Sequence, residues 1–126
     1  MESEQLYVEC CLLKFIFINK HILFIPDKNL GHYIAKQVPQ KEFIFNEGFC
    51  HIHNSIKRSE LEEAKKLYPN ALCLAHPECR QELLDECDFV GSTSEIIDFA
   101  TASDAKEFII CTEIGVFYEL QKRNPR

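Results

Sequence analysis

Short apolar runs, each followed by a stretch of helical periodicity, restrict this chain more than any other feature of its sequence. The runs are Ile22-Leu23-Phe24-Ile25, Phe43-Ile44-Phe45, Ala71-Leu72-Cys73-Leu74-Ala75, Asp88-Phe89-Val90 and Phe108-Ile109-Ile110-Cys111. Most are apolar throughout rather than at alternate positions. Alternation marks a strand with one wet face, whereas an unbroken run marks a strand covered on both. Between the runs, apolar residues recur three and four apart. Leu30, Tyr33, Ile34 and Val38 share one face of a first helix. A second opens at Ser59-Glu60-Leu61-Glu62, a capping box of Ser59 with Glu62. Its residues Leu61, Ala64 and Tyr68 face inward, and Pro69 follows its last turn. Leu83, Leu84 and Cys87 mark a third helix, Ile96, Ile97 and Ala100 a fourth, and Val116, Phe117 and Leu120 a fifth. Strand and helix in alternation predict an α/β fold, with a mainly parallel sheet and helices on both faces.

Length and charge narrow the function classes. A chain of 126 residues suggests one domain. Its net charge of −6 disfavours nucleic acid and anionic membranes, both of which select basic surfaces. The apolar run from Leu12 to Ile25 is interrupted by Lys14, Asn19, Lys20 and His21, so it reads as two buried strands, or one strand and a poorly formed end, rather than a membrane span. The cysteines are Cys10, Cys11, Cys50, Cys73, Cys79, Cys87 and Cys111. Their number is odd, Met1 to Gln5 lacks the basic start of a secretory leader, and no Cys-x-x-Cys pair suggests a zinc ribbon. Reduced thiols in the cytoplasm are expected. Cys73 and Cys111 lie within apolar strands and Cys87 on an apolar helix face, so all three read as core.

Ligands of open α/β sheets bind beyond the carboxyl ends of the strands. There the chain places Pro26-Asp27-Lys28-Asn29, Gly48-Phe49-Cys50-His51, His76-Pro77-Glu78-Cys79, Gly91-Ser92-Thr93-Ser94 and Thr112-Glu113. Each segment has two readings. Gly91 to Glu95 is an anion site at a helix start, or a plain Ser92–Glu95 capping box. His76-Pro77-Glu78 holds substrate and moves protons, or is a polar turn with Pro77 at the first position of the next helix. Cys50-His51-Ile52-His53 offers iron or zinc ligands, or an inert thiol beside an exposed histidine. Asp27 reads as a helix N-cap.

Taken in order, these segments resemble quinolinate synthase from about Ile22 onward. The succession is Pro26-Asp27-Lys28-Asn29-Leu30-Gly31, Gly48-Phe49-Cys50-His51-Ile52-His53, His76-Pro77-Glu78-Cys79, Asp88-Phe89-Val90-Gly91-Ser92-Thr93-Ser94 and Thr112-Glu113-Ile114-Gly115. The resemblance implies a fold of three similar α/β lobes around a central site, each lobe giving one cysteine to a 4Fe-4S cluster. It implies the condensation of iminosuccinate with dihydroxyacetone phosphate to quinolinate, in NAD biosynthesis. Carried over, Cys50 matches the middle cluster cysteine. His76 and Glu78 match catalytic, substrate-contacting residues, with Glu78 the proton shuttle. Pro77 lies in the same substrate-binding turn, and Ser92 and Thr93 match hydroxyls that hold a carboxylate or phosphate.

The same resemblance divides the chain. Residues 1–21 form a divergent segment, 22–52 the latter half of a middle-type lobe, and 53–126 most of a last-type lobe, an incomplete three-layer αβα arrangement. The family's first lobe, with its cysteine and catalytic tyrosine, has no counterpart, and its last cysteine lies beyond Arg126. Asn46 stands where tryptophan is usual, and Cys111 where glycine or alanine is usual. A single cluster thiolate implies that the chain alone is inactive. The missing lobes imply a complementary chain that carries them, or self-association through the apolar interface left exposed. The other functional classes are a non-catalytic α/β module or degenerate copy retaining an anion site, and a zinc protein built on Cys50, His51 or His53.

Overall fold

The computed structural model describes residues 20–125. Cys10, Cys11 and the start of the Leu12 to Ile25 run lie outside them. Among the described residues every strand pairing is parallel. β1 (His21–Phe24) pairs with β2 (Glu42–Phe45), with His21 opposite Glu42 and Phe24 opposite Phe45. The crossover between them is α1 (Lys28–Gln37). After two helices, α2 (His51–Ser55) and α3 (Arg58–Leu67), a second sheet forms in the order β4-β3-β5. Its strands are β3 (Leu72–Ala75), β4 (Phe89–Val90) and β5 (Phe108–Cys111). The connecting helices are α4 (Gln81–Leu84) and α5 (Thr93–Ala102), and α6 (Gly115–Arg123) follows β5. No helix among the described residues is long and apolar enough to cross a membrane.

The second sheet is the three-layer arrangement the sequence predicts. Cys73, Ala75 and Cys111 pack on one face with Leu61 of α3 and Leu83 and Leu84 of α4. Leu74 packs on the other with Ile96, Ile97 and Ala100 of α5 and Val116 and Leu120 of α6. β3 is central, which is why its run is apolar throughout. The first sheet departs from that expectation. Ile22 and Phe24 are buried, but Leu23 and Ile44 are 69% and 57% exposed. A two-stranded sheet with one crossover helix has cover for only one face, so an unbroken apolar run overstated the burial here.

Local chemistry explains most of the helix starts. Asp27 caps α1, its Oδ1 accepting the Leu30 N–H at 2.9 Å. Ser92 and Glu95 form the expected box at α5: the Ser92 N–H donates to Glu95 Oε2 at 2.6 Å and the Glu95 N–H to Ser92 Oγ at 3.4 Å. The Ser59–Glu62 box does not form. Helix α3 starts at Arg58, and Glu60 Oε2 instead accepts the N–H of Lys57, the N-cap, at 2.8 Å. A lysine side chain has no acceptor to return, so only the carboxylate half of a box exists. Glu62, freed from capping, pairs with Arg58 at 2.9 Å. Tyr68 is 53% exposed rather than inward-facing, because it caps α3 with φ −128° and ψ 71° and has left the helical period.

Candidate functional site

The parallel ladder continues past the strands and brings their ends together. The His76 N–H donates to the Cys111 carbonyl and the Gly91 N–H to the Ala75 carbonyl, each at 3.1 Å. His76, Gly91 and Thr112 are thereby held at one edge. In the first sheet, the Lys28 N–H donates to the Gly48 carbonyl at 2.7 Å, clasping the loops after β1 and β2. A Cβ on Gly48 would stand 2.5 Å from the Pro26 carbonyl oxygen, so no other residue fits there. Asp27, 3% exposed, serves two loops at once. Its Oδ1 caps α1, and its Oδ2 accepts the Cys50 N–H at 2.7 Å.

Cys50 is the N-cap of α2, and one helical turn puts His53 beside it. The buried His53 ring is the hub of the cluster. Its Nδ1 lies 3.2 Å from Cys50 Sγ and 3.0 Å from Glu78 Oε2, and its Nε2 lies 3.0 Å from Thr112 Oγ1. An ionised carboxylate only accepts, which assigns the Nδ1 proton to the Glu78 side; in the neutral ring Nε2 then accepts from Thr112. The His76 ring stacks on His53, with centroids 4.4 Å apart and planes at 17°. The Glu78 N–H donates to His76 Nδ1 at 3.2 Å, so the neutral His76 ring carries its proton on Nε2. Burial, followed by the neighbouring His53, holds His76 neutral down to about pH 4 against an ordinary value of 6.5.

Pro77 is enclosed by protein, and the Cys79 N–H closes the turn onto the His76 carbonyl at 3.0 Å. Helix α4 begins later, at Gln81, so Pro77 is a turn residue and not the first helical position. Ser92 and Thr93 open α5 at the end of β4, adjoining the same edge. Gly91 has a local reason to be glycine: an added Cβ would meet the Phe89 ring at 2.7 Å and Glu95 Cβ at 3.0 Å. The Ser92 N–H is already held by Glu95, leaving the Thr93 and Ser94 N–H groups outside the box. Among the described residues no hydrogen bond joins Ser92 or Thr93 to His76 or Glu78, although Glu95 is close enough to act electrostatically on His76.

The sequence reading brought Cys50, His76 and Glu78 into one site, and the structure does juxtapose them. Sequence reasoning gave His53 only a ligand's place and missed it as the hub. It also missed Thr112 as His53's partner and the second role of Asp27. The available signal was the three-residue spacing of Cys50 and His53, which a helix starting there would have made meaningful. A cleft of about 680 Å³ runs beside β5, α5 and α6 and includes Thr112 of this polar cluster in its lining.

Comparison with known proteins agrees with this arrangement of motifs. Residues 11–126 match the family described as Quinolinate synthetase A protein. The chain is 59% identical over 109 residues to a quinolinate synthase of Caldicellulosiruptor bescii, covering 86% of this chain and 36% of that protein. It is 56% identical over 107 residues to that of Clostridioides difficile, covering 85% and 35%. With the Aquifex aeolicus protein, 50% identity extends over 106 residues, covering 84% and 33%. The chain thus spans about a third of the length of these relatives. With its succession of strand-end motifs and a family match running almost from end to end, the chain belongs to the quinolinate synthase family.

Proposed function

We propose that this chain forms one wall of a quinolinate-synthesising site that condenses iminosuccinate with dihydroxyacetone phosphate in the cytoplasm. The observation carrying this reading is the His53-centred cluster, which sets a thiol, a carboxylate and a second imidazole within reach of one another at the strand ends. His76, kept neutral, presents a donor at Nε2 to a substrate oxygen. Glu78, backed by the His53 Nδ1–H, holds a carboxylate ready to take a proton and to return it. Thr93 and Ser92 supply the hydroxyl groups, and Thr93 and Ser94 the first helical N–H groups, that favour a carboxylate or phosphate. Residues 22–52 and 53–126 are then parts of two different lobes that share this wall.

The family's 4Fe-4S cluster puts a harder demand on the chain. Such clusters are held by several thiolates. Among the described residues, the potential ligand groups within 4.8 Å around Cys50 are His53 and Glu78, and neither is a thiol. Cys79, close in sequence to Glu78, is fully buried and turns its Sγ toward the Cys111 carbonyl at 3.5 Å. The described residues offer one cluster thiolate and do not by themselves fit the group. On this reading the chain alone is inactive and needs complementary lobes. The test is anaerobic reconstitution of the chain with iron and sulfide, alongside titration with quinolinate and with inorganic phosphate. Expected are no stable cluster spectrum, no quinolinate formation, and weak anion binding that Thr93→Ala abolishes. A stable cluster with turnover would refute the inactivity, and anion binding indifferent to Thr93→Ala would refute the wall.

A further inference from the structure

Three of the cysteines read from sequence as core converge on a single point. Cys73 sits on the central strand β3, and Cys111 ends β5. Ala75 is opposite Cys111 and Cys73 opposite Ile109, so the two cysteines are two positions apart and share a face of the sheet. Cys87 comes from the segment after α4 and folds over that face. The Asp88 N–H donates to the Cys73 carbonyl at 2.9 Å, and Asp88 Oδ2 accepts the Cys73 N–H at 2.8 Å. Those two bonds fix the chain beside Cys87 against β3. The Cys73 and Cys87 sulfurs are 2.8 Å apart, and all three Sγ atoms lie within 4.8 Å of one another.

We propose that Cys73, Cys87 and Cys111 form a three-thiolate site for a zinc-class divalent ion, distinct from the Cys50 cluster. Zinc–sulfur bonds of about 2.3 Å in tetrahedral geometry space the sulfurs by roughly 3.8 Å. Separations running from 2.8 Å to below 4.8 Å bracket that value, so small side-chain rotations complete the site. Charge selects the class of ion. Three thiolates and a divalent cation leave one negative charge, and Lys65 of α3 acts electrostatically on both Cys73 and Cys111. The Lys65 ammonium, anchored on the Glu86 carbonyl, brings the sum to neutrality in a buried setting, where an unbalanced charge is costly. Cys73 and Cys111 are buried while Cys87 is partly exposed, so an ion would reach the sulfurs from the Cys87 side. Cys79, nearby in the same core cluster, is outside the set of converging sulfurs.

The test uses the full chain, purified reduced and without metal, titrated with Zn(II) against a chromophoric chelator and separately with Co(II). Expected are one equivalent of zinc and a sulfur-to-cobalt charge-transfer band. Cys87→Ser and Cys111→Ser should each weaken binding on the order of 100-fold or more, since even an outer partner of a ligand is worth about 10–100-fold. Cys50→Ala should leave binding unchanged. Zinc should also slow alkylation of Cys73, Cys87 and Cys111 in the unsubstituted chain, a readout that needs no variant to fold. Equal alkylation rates with and without zinc, binding lost in Cys50→Ala instead, or an absent cobalt–thiolate band would overturn the proposal. So would a chain isolated with a Cys73–Cys87 disulfide that takes up no zinc after reduction.

Discussion

The two sheets of this chain are built from similar apolar runs and are covered to very different degrees. In the three-stranded sheet, Leu74 has no exposed surface, and helices pack against both faces. In the two-stranded sheet, Ile22 is buried while its neighbour Leu23 is 69% exposed. Their strands differ little in composition. They differ in how many crossover helices return to cover them, and that number belongs to topology. The difference also locates the candidate site. Its polar residues sit at the edge of the well-covered sheet, while the sparsely covered sheet supplies Asp27 and leads into Cys50.

The contrast can be broken at several points. The largest effect is expected at Leu74→Ala, which opens a cavity between β3 and α5 and should cost about 2–5 kcal/mol in urea unfolding. If it costs no more than a surface change, the three-layer packing is wrong. Next is the pH dependence carried by His76. Its folded pKa of about 4 lies below the ordinary 6.5, so between those values the unfolded chain binds the extra proton. Stability should therefore be full above pH 6.5 and fall as pH drops toward 4, by on the order of 2–3 kcal/mol. His76→Gln should flatten that slope, as followed by thermal or urea unfolding across the window.

In the loops that follow β1 and β2, Asp27→Ala removes an acceptor from both Leu30 and Cys50. A loss of about 1–3 kcal/mol is expected, with faster hydrogen exchange at the Cys50 amide. An unchanged exchange rate would detach Asp27 from the Cys50 loop. The smallest effect should come from Leu23→Thr or Ile44→Thr, on the exposed face of the first sheet. Either should shift stability by within about 0.5 kcal/mol. A cost like that of Leu74→Ala would mean that the face is covered in solution, and the contrast between the sheets would then vanish.

Much of this was legible in the residues. Among the described residues, all five strands lie where the apolar runs put them, and Phe108 to Cys111 matches its run residue for residue. The Ser92–Glu95 box and the Asp27 cap are local devices, settled by side chains three residues away, and they formed as read. The failures are equally local to explain. Helix α2 has only five residues, too few to show a period, so no helix is legible from Cys50 to His53. In α3 two acidic residues, Glu60 and Glu62, each offer a capping carboxylate, and spacing alone did not choose between helix starts at Arg58 and Glu60.

The sequence by itself determined the alternation of strand and helix, the family, and the residues Cys50, His76 and Glu78 as site candidates. Those follow from short-range periodicity and from the order of motifs along the chain. Tertiary structure decided that His53 binds Cys50, Glu78 and Thr112 together, residues that span sixty-two positions of the chain. It also decided that Cys73, Cys87 and Cys111 share one point rather than merely filling the core. The reason is the parallel sheet. Each crossover returns the chain to the same edge, so strand ends far apart in sequence become neighbours. No local pattern records which of those ends will meet.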